Sequence, residues 1–208
     1  MKCPLCNTQT KIFFTSKNKE YYSCSNCFAV SLNPNCYLTT EQEKKRYQEH
    51  NNDVHDIRYQ GFVKPIINAV KKGFKKTDFG LDFGCGTGPV ITKLLRDLNY
   101  NIQTFDPFFD NNLKVLKTSY NFIACCEVIE HFHNPLKEFQ LLQSLLKPGG
   151  KLFCMTELYS ENINFEKWYY KNDDTHVIFY HRKTFDWIKE KLKFSKVSNS
   201  GRLIIFEV

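Results

Sequence analysis

Three glycines separated by single residues are the feature of this 208-residue chain that points most directly to chemistry. They belong to the segment 81–88, which reads L-D-F-G-C-G-T-G and precedes Pro89. Glycines at this density let the backbone turn tightly and approach a ligand without interference from a Cβ atom. Such a turn leads to a helix N-terminus, where free N–H groups can bind a nucleotide-like molecule. We expect Pro89 at the first position of that helix.

The spacing of these glycines excludes two common nucleotide-binding loops. The dinucleotide fingerprint G-x-G-x-x-G would need a glycine at position 89, where proline stands. The P-loop would need a Gly-Lys-Ser/Thr sequence, and none follows. An ordinary turn between a strand and a helix remains an alternative. The segments that follow are needed to distinguish it from a ligand-binding turn.

An aspartate follows the glycines at a spacing that suits a ribose-binding acid. The apolar side chains of residues 89–98 recur at helical spacing, and a strand at about 101–106 ends in Asp106-Pro107. A residue before proline favours extended geometry, which places Asp106 at the carboxyl end of this strand. It lies about 20 residues past Gly84, close to the usual offset for the acid that binds ribose hydroxyls. The alternative is a surface aspartate in a turn.

A third motif begins after another predicted strand. Residues 122–126 are short and apolar enough for a strand buried on both faces, and E-V-I-E-H-F-H-N-P follows directly. A helix with a buried leucine and phenylalanine stripe then ends at K-P-G-G, before a strand at 151–155. The alternation of strands and helices predicts a parallel, doubly wound sheet that binds ligands at the carboxyl ends of its strands.

In their order and spacing, these motifs resemble those of class I S-adenosylmethionine (SAM)-dependent methyltransferases. The glycine segment is similar to motif I, and E-V-I-E-H-F-H-N-P through L-L-K-P-G-G-K-L is similar to motifs IV and V. The resemblance implies a doubly wound, Rossmann-like α/β fold with a mostly parallel sheet and SAM as the cofactor. The cofactor-binding residues it implies are Asp82, Gly84, Cys85, Gly86, Gly88, Asp106 and Glu127. Because few residues separate Asp106 from Tyr120, we expect the third strand of the family's sheet to be abbreviated.

Two C-x₂-C knuckles near the N-terminus predict a structural zinc site. They supply Cys3, Cys6, Cys24 and Cys27, at a separation typical of four-thiolate zinc. About 35 residues cannot bury a useful core alone, so a metal would stabilise this segment. Disulfides and coincidence are the alternatives, and the absence of a visible signal peptide disfavours disulfides.

We expect three parts along the chain: a zinc ribbon (1–36), a helical connecting segment that covers the cofactor (37–77) and the SAM-binding domain (78–208). Within the last, we expect a lid at 156–181, because a long aromatic loop follows the strand at 151–155. The run W-Y-Y-K-N-D-x-T-H-V-x-F-Y, together with the zinc segment, resembles a bacterial subgroup of class I methyltransferases. A solvated linker is the alternative for the connecting segment.

The chemistry of methyl transfer requires positioning of a nucleophile and, for some acceptors, a base. The candidate catalytic residues are His131, His176, His133 and Tyr47, with His50 and Tyr180 as further candidates. Glu127, Glu130 and His131 also offer oxygen and nitrogen ligands for a divalent catalytic metal. That metal is the less favoured hypothesis, because the resemblance extends to methyltransferases without one.

The composition agrees with a soluble cytoplasmic protein. The net charge is +7, but the lysines and arginines are spread along the chain, so nucleic-acid binding is permitted and not indicated. No apolar run approaches the ~18 residues of a membrane span. We expect transfer of a methyl group to an oxygen, nitrogen or carbon of a small acceptor. The alternatives are an RNA methyltransferase that uses the ribbon for recognition, and a non-catalytic adaptor. The sequence does not indicate the acceptor or the oligomeric state.

Overall fold

The computed structural model describes residues 1–49 and 53–208, so the candidate base His50 lies outside the described residues. The strands are β1 (Lys11–Thr15), β2 (Glu20–Ser23), β3 (Val30–Leu32), β4 (Phe79–Phe83), β5 (Asn101–Phe105), β6 (Tyr120–Cys126), β7 (Leu146–Met155), β8 (Ile178–Phe179), β9 (Lys196–Ser200) and β10 (Leu203–Glu207). The helices are α1 (Thr40–Gln48), α2 (Ile57–Gly73), α3 (Val90–Asp97), α4 (Pro135–Ser144) and α5 (Arg182–Leu192).

The main sheet has six strands in the order β5-β4-β6-β7-β10-β9. The first four run parallel, and β10 pairs antiparallel with both of its neighbours. Helices α2 and α3 pack on one face of this sheet, and α4 and α5 pack on the other. This arrangement confirms the predicted doubly wound, mostly parallel α/β fold. It also brings the carboxyl ends of β4, β5 and β6 to the same edge of the sheet.

Two local expectations differ from the structure. Pro89 occupies the cap position immediately before α3 instead of its first turn. Between Phe105 and Tyr120, the structure forms only a bridge of Asp106 with Asp110 and one 3₁₀ turn. The prediction of an abbreviated third strand was therefore wrong, since these residues add no strand to the main sheet. The segment is too short for a crossover helix and a returning parallel strand, and β5 forms the edge.

A second sheet joins the N-terminal segment to a distant part of the chain. Its strand order is β1-β2-β3-β8, and β3 pairs antiparallel with β8 through Val30 and Phe179. The rings of Phe165 and Trp168, from the predicted lid, are buried beside Phe179. Within the described residues, the 156–181 segment is therefore packed on the cysteine-bearing segment over much of its length. Its action as a lid stays a prediction.

Helix α1 is held mainly by polar contacts. Thr39 accepts from the Gln42 amide and donates its own amide to the Gln42 side chain, which forms a capping box at the predicted place. Glu43 is the one buried residue among the members of α1. A helix whose buried residue is a carboxylate needs a specific partner for that group, and this requirement fixes how α1 packs.

No helix in the described ranges, 1–49 and 53–208, is long and apolar enough to cross a lipid bilayer.

The contact of β4 with β6 gives a test of the sheet's packing. A Cβ atom at Gly80 would lie 2.2 Å from the ring of Phe122, which is fully buried and cannot move aside. We expect Gly80→Ala to destabilise the fold by about 1–3 kcal/mol through overpacking. The matched control is Gly61→Ala in α2, where a Cβ atom would meet nothing within 4 Å.

Gly61→Ala should stabilise the fold by roughly 0.5–1 kcal/mol, because alanine favours a helix over glycine. Urea unfolding curves of the two variants and the wild type measure both effects. Equal midpoints for Gly80→Ala and the wild type would contradict the close packing of β4 against β6.

Candidate active site

A cavity of about 660 Å³ lies at the carboxyl ends of β4, β5 and β6. Its walls include nine of the predicted cofactor and catalytic residues: Tyr47, Gly84, Cys85, Gly86, Asp106, Glu127, His131, His133 and His176. Asp82 and Gly88 line a much smaller pocket beside it. Tyr180 is fully buried and donates its hydroxyl to the Ile129 carbonyl, 2.7 Å away. The structure therefore brings together residues from both the connecting segment and the main sheet.

The glycine turn after β4 needs its glycines for two separate reasons. Gly84 and Gly86 have φ angles of +77° and +63°, which favour glycine. A Cβ atom at Gly84 would also lie 2.4 Å from Val128. The amides of Gly84 and Cys85 donate to the Phe105 carbonyl at 2.8 and 3.2 Å, which ties the turn to the end of β5. The turn therefore requires glycine at 84 for both space and conformation, and favours it at 86 for conformation.

Cys85 lies in this turn but has a buried thiol. Burial raises the pKa of this thiol, with neighbouring carboxylates adding to the effect, so the thiol stays protonated at neutral pH. Only a thiolate is a strong nucleophile, and this environment gives Cys85 no such role.

Asp106 connects the glycine turn to the loop after β5. One carboxylate oxygen accepts from the Gly86 amide at 2.9 Å, and the other accepts from Phe108 and Phe109 at 2.8 and 3.1 Å. Its side chain is buried yet lines the cavity. Because each carboxylate oxygen has two lone pairs, Asp106 retains the capacity to accept a hydroxyl of a bound ribose.

Glu127 occupies the first position after β6, in a left-handed conformation with φ of +52°. Its Oε2 atom accepts from Arg202 at 2.7 Å and lies 3.3 Å from the Tyr170 hydroxyl oxygen. Its Oε1 atom is buried and accepts no hydrogen bond among the described residues. Burial raises the pKa of this carboxyl, nearby Glu130 raises it further, and Arg202 opposes both. A donor N–H of a bound ligand would satisfy Oε1.

Glu130 is completely buried. Its carboxyl accepts from the hydroxyls of Tyr170 and Thr156, the latter at 3.1 Å. Its backbone carbonyl accepts from the Val177 amide at 2.9 Å. Burial raises the pKa of Glu130, and the hydroxyl donors oppose the shift. Glu130 therefore joins the segment after β6 to the 156–181 segment.

His131 and His176 lie side by side, with ring centroids 4.9 Å apart. The Nδ1 atom of His131 lies 3.0 Å from the Thr175 carbonyl, and that of His176 lies 2.7 Å from the Tyr170 carbonyl. Since a carbonyl only accepts, each Nδ1 carries the hydrogen and each Nε2 holds the lone pair of the neutral ring. These contacts set the tautomer of each neutral imidazole.

Tyr47 from α1 packs edge-on against His131, with ring centroids 5.3 Å apart. Burial raises the pKa of its hydroxyl, and Glu43 adds to the shift. Tyr47 is therefore a neutral hydroxyl in the cavity wall at physiological pH.

His133 bonds to a different kind of partner. Its Nε2 atom lies 2.8 Å from Oε1 of Glu43, and its ring packs on that of Tyr37 with centroids 4.6 Å apart. Glu43 comes from α1, so this contact crosses from the connecting segment to the segment after β6.

Two clusters have the composition of a metal site. The sulfur atoms of Cys3, Cys6, Cys24 and Cys27 lie within 4.8 Å of one another. The closest approaches, 3.3 Å for Cys6–Cys24 and 3.5 Å for Cys3–Cys27, far exceed the ~2 Å of a disulfide bond. Glu130, His131 and His176 form the second cluster, also within 4.8 Å. Within it, Glu130 already accepts two hydroxyl hydrogen bonds.

Sequence reasoning missed Glu43, Tyr37 and Arg202. Arg202 lies in the turn between β9 and β10, pairs with both Glu127 and Glu157, and packs over Tyr170. No motif surrounds Arg202, and its partners lie far away in the chain. The capping box predicted helix α1, but it did not indicate that Glu43 would bond to His133.

A family model described as a methyltransferase domain matches residues 47–199 of the chain. Two ubiquinone biosynthesis O-methyltransferases of Actinobacillus pleuropneumoniae, from serotypes 5b and 7, are similar to it. Each is 34% identical over 59 residues, which cover 28% of this chain and 25% of the enzyme. The aligned region therefore spans about a quarter of the length of these curated relatives.

Solved structures show the same fold at low sequence identity. A SAM-dependent methyltransferase from Archaeoglobus fulgidus superposes with a TM-score of 0.56 at 17% identity, over 72% of this chain and 94% of that one. An O-methyltransferase family protein from Burkholderia thailandensis superposes with a TM-score of 0.53 at 12% identity, over 79% and 61%. At these identities, the similarity concerns the fold.

The buried Asp82 gives a pH-dependent test of the site's support. Burial raises its pKa to about 6, and the Thr92 hydroxyl and amide, at 2.8 and 3.2 Å, oppose the shift. We expect Thr92→Val to cost about 1–3 kcal/mol of stability at pH 8, because an ionised buried carboxylate loses a donor.

The stability cost of Thr92→Val depends on pH because the pKa of Asp82 is raised in the folded state. Loss of the hydroxyl raises this pKa further, so the cost of Thr92→Val grows as the pH increases through about 6. Urea unfolding at pH 5 and pH 8 measures the difference. An equal cost at both values would contradict an Asp82 carboxylate that depends on Thr92.

Proposed function

Because the chain belongs to the methyltransferase-domain family, we propose that it transfers a methyl group from SAM to an oxygen, nitrogen or carbon of a small-molecule acceptor. The observation that carries this proposal is the convergence of the glycine turn, Asp106 and Glu127 on one cavity. The name of the ubiquinone biosynthesis relatives supports a small acceptor. The lining of the cavity includes no lysine or arginine among the described residues, which favours an acceptor without phosphate groups.

SAM supplies a methyl group on a positively charged sulfur, which departs as a neutral thioether. In our proposal, Gly84 to Gly86 admit the ligand close to the backbone, and Asp106 accepts from a hydroxyl of its ribose. The unpaired Oε1 atom of Glu127 accepts an N–H of its amino group. Asp82 acts indirectly, since its bonds to Thr92 hold the start of α3 against β4.

The acceptor would occupy the part of the cavity lined by Tyr47, His131, His133 and His176. These side chains can orient a nucleophile, accept its proton and limit access of water. Tyr47 comes from the connecting segment (37–77) and His176 from the predicted lid (156–181), whereas His131 and His133 come from the segment after β6. We therefore propose that the connecting segment and the predicted lid form walls of the cavity of the 78–208 domain. The 1–36 ribbon would support both segments.

A structural zinc ion is part of the same proposal. Four thiolates at tetrahedral positions around zinc suit the arrangement of Cys3, Cys6, Cys24 and Cys27. The ion would stabilise a small segment whose core is continuous with that of the main sheet.

Calorimetric titration with S-adenosylhomocysteine, the demethylated product of SAM, tests the cofactor site. We expect micromolar binding that is lost in Gly86→Val, because a β-branched residue is strained at a φ of +63° and would distort the turn. In Glu127→Gln we expect binding about 10-fold weaker, a loss of ~1.4 kcal/mol. Matched binding by wild type and Gly86→Val, or no binding by folded wild type, would contradict the proposed function.

The pH dependence of the same binding reports on Glu127. Burial raises its pKa, so a fraction is protonated at neutral pH. A cationic amino group favours the ionised carboxylate, so binding should release protons and strengthen as the pH increases from 6 to 8. Titrations in buffers of different ionisation enthalpy measure this release. Its persistence in Glu127→Gln would exclude Glu127 as the source.

Removal of zinc tests the metal site. We expect one zinc ion per chain by elemental analysis and a Tm lower by roughly 5–10 °C after chelation. That range corresponds to a loss of a few kcal/mol at ~2–4 °C per kcal/mol. Cys6→Ser should reproduce the loss of metal and stability, whereas the matched control Cys36→Ser should retain both. Full zinc content in Cys6→Ser would contradict the assigned ligands.

A further inference from the structure

Glu43 and His133 form a carboxylate–imidazole pair in the wall of the cavity. Oε1 of Glu43 lies 2.8 Å from Nε2 of His133, and both residues line the cavity. Only 7% of the surface of Glu43 is exposed. A buried carboxylate needs such a partner, so the pair is an enforced contact between α1 and the segment after β6.

This contact selects the tautomer of His133. A carboxylate only accepts hydrogen bonds, so Nε2 carries the hydrogen and Nδ1 holds the lone pair of the neutral ring. The ring of Tyr37, with its centroid 4.6 Å away, restricts rotation of the imidazole. No hydrogen bond to Nδ1 is formed within residues 1–49 and 53–208. The basic atom of His133 is therefore Nδ1, opposite to the basic Nε2 of His131 and His176.

His133 has a carboxylate as the partner of its Nε2–H group. The Nδ1 atoms of His131 and His176 donate to backbone carbonyls, which are neutral. A carboxylate stabilises the positive charge that an imidazole acquires when it accepts a proton, as in the carboxylate–histidine pair of hydrolases.

We propose that His133 is the general base of methyl transfer and that Glu43 is its positioning residue, an assignment that rests on the proposed function. Nδ1 of His133 takes the proton from the O–H or N–H of the acceptor. The electron pair of that acceptor atom forms the bond to the methyl carbon, while the carbon–sulfur pair remains on sulfur. The imidazolium then returns its proton to water, with Glu43 stabilising the charge in between.

The position of Glu43 makes this base dependent on α1. Glu43 stands on the first turn after the Thr39 cap and is the buried residue of this helix. The pair is therefore assembled only when α1 packs over the cavity. Glu138, another carboxyl that lines the cavity, has its pKa raised by burial and lies on α4.

Nitrogen NMR of histidine-labelled protein, loaded with S-adenosylhomocysteine, tests the geometry of the pair. We expect the neutral ring of His133 in the Nε2–H tautomer and those of His131 and His176 in the Nδ1–H tautomer. The spectrum of His133→Gln identifies the signal of His133, because that signal is missing from it. Glu43→Leu should abolish the preference of His133 for the Nε2–H tautomer. Glu41→Leu, which changes an exposed residue of the same helix, should preserve this preference. An Nδ1–H tautomer at His133 in the wild type would overturn the proposal.

Turnover tests the role in catalysis. The probes are catechol, phenol, aniline and imidazole, each supplied with SAM that carries a deuterated methyl group. With the best of these probes, we expect Glu43→Gln and His133→Gln to lower kcat at least about 10-fold and to leave the KM for SAM within about 2-fold. Glu41→Gln should match the wild type, and Glu43→Asp should recover part of the lost kcat.

The two proposals fail in different ways. Loss of S-adenosylhomocysteine binding by the wild type would refute the proposed function. Intact binding together with an unchanged kcat in Glu43→Gln would refute the role of the pair alone. If none of the four probes is methylated, the tautomer of His133 is the result that supports or overturns the proposed pair.

Discussion

The fully buried carboxyl group of Glu130 is the constraint on which the arrangement of the site depends. A carboxyl without exposure to water must find donors inside the protein. Thr156 supplies one from the end of β7, and Tyr170 supplies the other from the segment beyond it. The ring of Tyr170 in turn packs on His176, with centroids 4.2 Å apart. One buried group thus fixes the segment after β6, the end of β7 and a catalytic candidate together.

The same constraint connects the main sheet to the cysteine-bearing segment. Tyr170 lies beside Trp168, which packs with Phe165 and Phe179 in an aromatic cluster. Phe179 belongs to β8, the strand that completes the N-terminal sheet. A metal bound at the four cysteines would therefore stabilise more than a peripheral appendage. Its effect would extend through the aromatic cluster to the residues that hold Glu130.

The sequence predicted the features that depend on local chemistry. The glycines at 84 and 86, the proline after Asp106 and the alternating apolar runs located the ends of three strands, and the parallel topology then placed their side chains in one cavity. The pairing of Val30 with Phe179, and the contacts of Glu43 with His133 and of Arg202 with Glu127, could not be predicted. Each joins residues far apart in the chain, and neither periodicity nor a turn motif encodes the partner.

A crystal structure of the zinc-loaded protein with S-adenosylhomocysteine would show whether the cofactor binds in the cavity at the carboxyl ends of β4, β5 and β6. We expect the ligand in this cavity, with its ribose at Asp106, its amino group at Oε1 of Glu127 and its sulfur facing the histidine side chains. Binding elsewhere on the protein, or in the cavity without contact to the Gly84–Gly86 turn, would contradict this expectation.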